Sequence, residues 1–114
     1  MAIASNNNTA NQMVDAMERF KCNRFGAFTG HTDIEEEGHF VEVETGRKMI
    51  YTNWKNHEPN NWLGEEDCVM LNRNNSKMYD VPCSYSKLCQ VCNVSEVKVF
   101  MIFLIIVTFL PLFN

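Results

Sequence analysis

The chain has 114 residues, which is the length of one globular domain. It carries fourteen acidic and ten basic residues, so its net charge is −4 at pH 7. This excess of negative charge excludes the basic surface that a nucleic-acid partner selects, and no nucleic acid is expected to bind.

Residues 9–20 have the pattern of a helix. Thr9 and Gln12 stand at the spacing of a capping box, in which two side chains satisfy the first free backbone N–H groups. Apolar residues then recur at helical spacing, at Ala10, Met13, Val14, Met17 and Phe20. The sequence therefore predicts a helix over residues 9–20.

Short apolar and aromatic segments follow, separated by glycine, asparagine and proline. They predict strands at residues 25–30, 40–43, 49–52 and 69–71, and a further strand pair within residues 79–91. A single helix followed by many short strands is typical of an α+β fold and not of a parallel α/β sheet.

The acidic residues are concentrated around the turns of the chain. Ten of the fourteen lie between Asp33 and Asp67. Residues 52–66 lack periodicity and predict a long loop, which in a compact domain is functional or disordered. Residues 58–60 (EPN) and 66–67 (ED) offer oxygen ligands of the kind that Ca²⁺ needs in numbers of six to eight. Residues 58–60 alone would be read as a polar turn.

The five cysteines are an odd number for a small, loop-rich domain: Cys22, Cys68, Cys83, Cys89 and Cys92. Cys68 and Cys83 are flanked by predicted strands, and a bond between them would contribute about 3 kcal/mol on the chain-entropy model. Cys89 and Cys92 have the spacing of half a zinc site, but no second pair accompanies them. No residue pattern nominates a base for a catalytic cysteine.

The composition changes abruptly near the C-terminus. Residues 99–114 contain no charge, but they are fewer than the roughly 20 that a membrane-spanning helix needs. We expect a domain over residues 1–93 and an apolar tail, predicted to be helical, over residues 94–114. Weak membrane attachment, a removable lipid-anchor signal and translation of non-coding sequence are the alternatives for the tail.

Three glycosylation-type triplets point weakly to export. They begin at Asn7, Asn74 and Asn93. No secretory signal is visible after Met1, since no basic segment precedes an apolar one there.

Together these motifs resemble the C-type lectin domain, in particular mannose-binding lectins, collectins and insect immune lectins. The resemblance runs from about residue 1 to residue 92. It is carried by residues 27–33 (AFTGHTD), 37–40 (EGHF), 51–54 (YTNW), 58–60 (EPN), 66–69 (EDCV) and 80–83 (DVPC). It implies a double-loop fold that is exported, disulfide-bonded and able to bind sugar through Ca²⁺.

The resemblance also implies a principal Ca²⁺ site. Its ligands would be Glu58, Asn60, Glu66 and Asp80, and the same side chains would bind the vicinal hydroxyls of a sugar. A cis peptide bond before Pro59 would direct the flanking side chains to the metal. The order of acid and amide resembles that of lectins that bind mannose, fucose or N-acetylglucosamine.

A second, structural Ca²⁺ ion is implied by the same resemblance. Its ligands would be Asp33, Glu37, Asn61 and Asp67. The family pattern further implies a disulfide bond between Cys68 and Cys83, because these are the cysteines at the family spacing.

The chain departs from the family pattern in its cysteines and at its start. The family has a first strand, a first helix and a cysteine that would precede residue 2, and that cysteine pairs with the position of Cys92. The resemblance therefore implies a domain that lacks these elements. Cys22 and Cys89 have no family counterpart, so they are free to pair with each other, to pair with Cys92 or to stay unpaired.

The third departure lies in the predicted site. The family has tryptophan, asparagine and aspartate where this chain has Met78, Tyr79 and Asp80. The missing asparagine would bind both metal and sugar, and a phenol is a poor Ca²⁺ ligand. We expect affinity for both to fall in consequence.

The leading hypothesis is a secreted or extracellular module for Ca²⁺-dependent recognition of mannose-type glycans, with a role in innate immune recognition of microbial surfaces. The main alternative is a lectin-like domain that has lost sugar binding and contacts a protein. A third is a non-functional fragment. An enzyme is not expected, since no sequence feature assigns one carboxylate the role of general acid and another the role of general base.

Overall fold

The computed structural model describes residues 2–91. Helix α1 spans Asn7–Arg19 and begins two residues earlier than predicted. The capping box is formed by Asn6 and Thr9, and not by Thr9 and Gln12. The Thr9 N–H donates to Asn6 Oδ1 at 2.8 Å, and the Thr9 hydroxyl accepts from the Asn6 N–H at 3.0 Å. The buried face of α1 consists of Ala10, Met13, Ala16 and Met17.

The strands of the described residues form one five-stranded sheet. Its strands are β1 Gly26–Thr32, β2 Val41–Glu42, β3 Cys68–Asn72, β4 Met78–Val81 and β5 Leu88–Cys89. The order is β2-β1-β3-β4 with antiparallel neighbours, while β5 runs parallel to β1. One helix against a mainly antiparallel sheet confirms the α+β prediction.

Two of the strand predictions were wrong. Residues 49–52 form no strand, because the pairing with the β2 region ends at an isolated bridge between Val41 and Lys48. Beyond it Met49 is buried, but Ile50 is 90% exposed and no further pairing follows. Residues 79–91 do not form a strand pair, because β5 pairs with β1 instead of with β4.

The sheet separates two apolar clusters. Helix α1 packs into the larger one, in which Met13, Leu71 and Met78 are almost fully buried. The smaller one, here called the outer cluster, consists of Met70, Val81 and Leu88 with the partly buried Phe28, Cys68, Tyr79 and Tyr85. Met78 and Tyr79 thus face different clusters, as the alternation of side chains along a strand requires.

Two disulfide bonds link the sheet to its connections. Cys68 and Cys83 are joined, with Cα atoms 5.0 Å apart, which confirms the pairing that the family resemblance implied. Cys22 and Cys89 are also joined, with Cα atoms 6.4 Å apart, so the alternative of a mutual pair holds for them. The Cys89 sulfur lies in this bond and is therefore not available to a zinc ion, while Cys92 lies outside the described residues.

Among residues 2–91, no helix is long and apolar enough to cross a membrane. The expected domain boundary after residue 93 and the predicted apolar helix lie outside the described residues. Weak membrane attachment through the tail therefore stays a prediction.

Candidate functional site

A long irregular loop lies between β2 and β3, as the sequence predicted. Its only helical turn among the described residues is the short 3-10 turn Trp62–Gly64. The peptide bond between Glu58 and Pro59 is cis. His57 and Asn61 take left-handed backbone conformations, so the loop bends sharply on both sides of the Glu58-Pro59 bond.

Asp80 of β4 holds this loop against the sheet. Its Oδ1 accepts the Asn60 N–H at 3.0 Å, and its Oδ2 accepts the Asn61 N–H at 2.6 Å. Its side chain is almost fully buried, because strand β4 directs it inward beside Met78. Both carboxylate oxygens of Asp80 thus help to position the residues that follow Pro59.

Three carboxylates converge where the loop meets β4. One oxygen each of Glu58, Glu66 and Asp80 lies within 4.8 Å of the others. Glu58 Oε2 is buried and has no hydrogen-bond partner within the described part of the chain. Burial, aided by Asp80 and then by Glu66, raises the pKa of Glu58 to about 7. Burial also raises the pKa of Glu66.

A second group of carboxylates lies at the end of β1. Oxygens of Asp33, Glu37 and Asp67 approach one another within 4.8 Å. Asp33 Oδ2 accepts the Gly38 N–H at 2.9 Å, whereas the buried Asp33 Oδ1 lacks a partner among residues 2–91. The hydrogen bond to Asp33 raises the pKa of Glu37, and burial, followed by contact with Asp33, raises that of Asp67.

Two hydrogen bonds to the Asp67 carbonyl hold this second group together. The Asp67 carbonyl accepts the Asp33 N–H at 3.1 Å and the Thr32 hydroxyl at 2.7 Å. Because Glu66 of the first group and Asp67 of the second directly precede Cys68, the Cys68–Cys83 bond is close in sequence to both carboxylate groups. The disulfide therefore helps to fix the spacing of the predicted ligands.

The two predicted amide ligands, Asn60 and Asn61, lie in the same loop as Glu58 and Glu66. Asn60 Oδ1 accepts the Trp62 N–H at 3.2 Å, and Asn61 Oδ1 accepts the Glu66 N–H at 3.1 Å. The Trp62 N–H also donates to Glu66 Oε1 at 2.8 Å. Asn60 and Asn61 thus share one loop with the carboxylates, and their amide oxygens are already engaged by backbone N–H groups of that loop.

Tyr79, which replaces the asparagine of the family pattern, is engaged elsewhere. Its ring belongs to the outer cluster, and its hydroxyl accepts a hydrogen bond from Asn75 Nδ2 at 3.1 Å. The Lys55 ammonium lies 5.4 Å from the ring centroid, a cation–π contact. The Tyr79 side chain therefore contributes packing and a hydrogen bond to the β3–β4 hairpin.

Sequence reasoning missed Trp62. Trp62 is 66% exposed, although it lies in the loop that carries Glu58 and Glu66, and Leu63 beside it is also exposed. A solvent-facing aromatic ring next to oxygen ligands can stack against the apolar face of a small polar ligand. The available signal was the apolar pair Trp62-Leu63 inside an otherwise polar loop.

The two carboxylate groups fit a hard divalent cation. Each gathers three carboxyl groups, and each contains one buried oxygen without a partner among residues 2–91. Buried oxygens of this kind cost free energy unless a donor or a cation satisfies them. Carboxylate and amide oxygens are the ligands that Ca²⁺ takes, so the donor set suits Ca²⁺.

A sequence model of the family described as "Lectin C-type domain" matches residues 2–94. The chain belongs to the C-type lectin family. C-type lectin domains generally bind carbohydrate without catalysing a reaction, and they typically bind Ca²⁺. The assignment confirms the resemblance seen in the sequence.

Solved structures show the same fold. The C-type lectin CEL-I from Cucumaria echinata is 20% identical with a TM-score of 0.60, and the match covers 68% of this chain and 55% of that one. The carbohydrate-recognition domain of the human scavenger receptor C-type lectin is 24% identical, with a TM-score of 0.61 and coverages of 73% and 63%.

The C-type carbohydrate-recognition domain of cow CD23, determined in the presence of a GlcNAc2Man3 oligosaccharide, is 26% identical with a TM-score of 0.55. That match covers 68% of this chain and 55% of the cow domain. The chain thus spans between half and two thirds of the length of these relatives.

Proposed function

We propose that this domain binds mannose-type glycans through a Ca²⁺ ion held by Glu58, Asn60, Glu66 and Asp80. The observation that carries the proposal is the convergence of three carboxylates around the buried, unpartnered Glu58 Oε2. Without a cation, these like charges repel one another, and their burial adds a cost. A divalent ion removes both penalties and leaves coordination positions for sugar hydroxyls.

A second Ca²⁺ ion would occupy the group at Asp33, Glu37 and Asp67, with Asn61 on the adjoining loop. Its role is structural in this proposal, because Asp33 is almost fully buried. It would fix the end of β1 against the residues that precede β3, and thereby position Glu66.

The preference for mannose, fucose or N-acetylglucosamine is proposed from the order of acid and amide around Pro59. Glu58 offers only acceptors, while the Asn60 amide also offers donors. This division of donors and acceptors suits a pair of vicinal hydroxyls in one orientation. Exchanging the groups, by Glu58→Gln with Asn60→Asp, should move the preference toward galactose.

The test is retention of the full chain on immobilised mannan in Ca²⁺, followed by release with a chelator. Calorimetry with Ca²⁺ alone should show binding that Glu58→Gln weakens by roughly tenfold or more, equivalent to about 1.4 kcal/mol. Glu18→Gln is the matched control, since it removes one negative charge from an exposed position on α1. Equal Ca²⁺ affinity in the two variants would contradict the proposed ligand set.

The competing function is recognition of a protein by a domain that has lost sugar binding. The observation that favours it is Tyr79, which supplies packing where the family has a metal ligand. Binding of Ca²⁺ without retention on mannan, galactose resin or a glycan array would favour this alternative. The family and the two disulfide bonds support an extracellular location for either function.

A further inference from the structure

We propose that Asn74 is a site of N-linked glycosylation. Asn74, Asn75 and Ser76 form the acceptor pattern Asn-X-Ser at the tip of the β3–β4 hairpin. The proposal rests on the extracellular location proposed above, because the transferase acts inside the secretory pathway. It does not depend on sugar binding by the domain.

The hairpin turn leaves the Asn74 side chain without a structural role. Asn72 makes the turn, because its Oδ1 accepts the N–H groups of Asn74 at 2.8 Å and Asn75 at 3.3 Å. The Ser76 N–H donates to the Asn72 carbonyl at 3.0 Å and closes the turn. Asn74 is exposed, and its amide makes no hydrogen bond with any residue from 2 to 91.

The middle residue of the triplet points back to the sheet. Asn75 Oδ1 accepts the Lys77 N–H at 2.9 Å, and Asn75 Nδ2 donates to the Tyr79 hydroxyl. Asn75 therefore braces the hairpin, while Asn74 faces the solvent. A glycan on Asn74 would extend outward without displacing any of these contacts.

The triplet at Asn7 has a different environment. Asn7 is the first residue of α1, and its Oδ1 accepts a hydrogen bond from the Tyr51 hydroxyl at 3.4 Å. The Thr9 hydroxyl, which a transferase must recognise, accepts the Asn6 N–H and donates to the Asn6 carbonyl, both at 3.0 Å. The fold thus engages the side chains of both Asn7 and Thr9, whereas the Asn74 amide makes no hydrogen bond with residues 2–91.

The hairpin tip lies at the opposite end of β3 from Asp67. Strand β3 runs from Cys68, next to Asp67, to Asn72, which is a distance of about 13 Å at roughly 3.3 Å per residue.

The transfer reaction balances with one co-substrate, an oligosaccharide linked to a lipid diphosphate. The Asn74 Nδ2 nitrogen bonds to C1 of the first sugar, and the bond between C1 and the diphosphate oxygen breaks. The lipid diphosphate leaves with that electron pair, and Nδ2 gives one proton to a carboxylate of the transferase.

The test is expression of the full chain behind a cleavable secretory leader in eukaryotic cells. Only molecules inside sealed microsomes and protected from added protease are analysed, so every molecule counted has met the transferase. Glycopeptide mapping and treatment with peptide N-glycosidase should locate a glycan on Asn74 in most of them. Asn7 should be modified in a minor fraction at most.

Matched variants separate this site from the others. Asn74→Gln and Ser76→Ala should each remove one glycan-sized mass step, whereas Asn75→Gln, which keeps the acceptor pattern, should retain it. Asn7→Gln should also retain it. Protected chains that carry no glycan on Asn74, or a mass step that disappears with Asn7→Gln alone, would overturn the proposal. Mannan retention of Asn74→Gln tests the sugar-binding function separately.

Discussion

At the scale of single residues, Trp62 extends the chemistry of the proposed site beyond oxygen ligands. Its backbone N–H contacts Asn60 and Glu66, while its indole faces the solvent. An aromatic face can contact the C–H groups of a sugar ring whose hydroxyls bind the ion. Trp62 would then contribute to sugar affinity without touching the metal.

We expect Trp62→Ala to weaken sugar binding about fivefold, equivalent to about 1 kcal/mol, and to leave Ca²⁺ affinity unchanged. Calorimetry with Ca²⁺ alone and then with Ca²⁺ and mannose separates the two effects. Leu63→Ala is the control, since this neighbour is also exposed but has no ring. A parallel loss of Ca²⁺ affinity would mean that Trp62 supports the loop and not the sugar.

A substitution at Tyr79 tests the proposed Ca²⁺ ligand set by adding one more coordinating side chain. Tyr79→Asn supplies an amide oxygen at the position where the family resemblance implies a ligand, so Ca²⁺ affinity and sugar affinity should both rise if the shorter side chain turns from the outer cluster toward the ion. The change removes a ring from the outer cluster, so the free energy of unfolding should fall by roughly 2 kcal/mol or more. Tyr79→Phe is the control, because it keeps the ring and loses only the hydrogen bond from Asn75.

If Tyr79→Asn folds and its Ca²⁺ affinity equals that of the unmodified chain, position 79 does not face the ion. The protein-binding alternative would then be the better account of the domain. Thermal unfolding of both variants with and without Ca²⁺ shows whether the comparison is made on folded protein.

At the scale of elements, the two disulfide bonds close loops of very different length. The Cys22–Cys89 bond has a sequence separation of 67 residues, and the Cys68–Cys83 bond has one of 15. On the chain-entropy model, the longer loop contributes about 4 kcal/mol and the shorter about 3 kcal/mol.

We therefore expect Cys22→Ser with Cys89→Ser to lower the free energy of unfolding at least as much as Cys68→Ser with Cys83→Ser. Urea unfolding of both double variants measures this difference. Ca²⁺ affinity should respond in the opposite order, because Cys68 adjoins Asp67 and both carboxylate groups. A larger loss of Ca²⁺ affinity without the longer bridge would contradict the positioning role given to Cys68–Cys83.

The sequence was sufficient to predict the elements that local patterns specify. Helical periodicity predicted α1, although Asn6 and Thr9 cap as readily as Thr9 and Gln12, so the start was misplaced by two residues. The family motifs led to the carboxylates that converge at Glu58. The assignment of individual ligands, including Asn60, stays a prediction.

Features that depend on distant partners could not be predicted. Leu88–Cys89 lies parallel to β1 because the Cys22–Cys89 bond and the outer cluster bring it there, and no local pattern encodes that pairing. The direction of Tyr79 likewise follows from its packing in the outer cluster and not from its position in a motif.

At the scale of the whole molecule, proton binding and metal binding compete. The pKa of Glu58 is raised from 4.5 to about 7, so the metal-free fold favours the protonated form. Its contribution to stability is present below pH 4.5 and is lost as the pH rises through about 7. Ca²⁺ binding has the opposite dependence, because it requires the ionised carboxylate.

We expect the melting temperature of the chelated protein to fall as the pH rises from 4.5 to about 7. With Ca²⁺ the melting temperature should rise over the same interval, and Glu58→Gln should flatten both dependences. Scanning calorimetry across this interval, with Glu18→Gln as the control, measures the effect. A chelated protein whose stability increases with pH would show that Glu58 is ionised in the metal-free fold.

The Cys22–Cys89 bond also determines how the molecule bears mechanical tension. It encloses every predicted ligand, from Asp33 to Asp80, in one covalent ring. A pull on residues 2 and 91 can lengthen only the segments outside that ring, chiefly the roughly 70 Å of chain that includes α1. The proposed ion-binding loops would stay folded under such a load. The domain would then keep its hold on a ligand attached to a surface even after the residues before Cys22 had been extended.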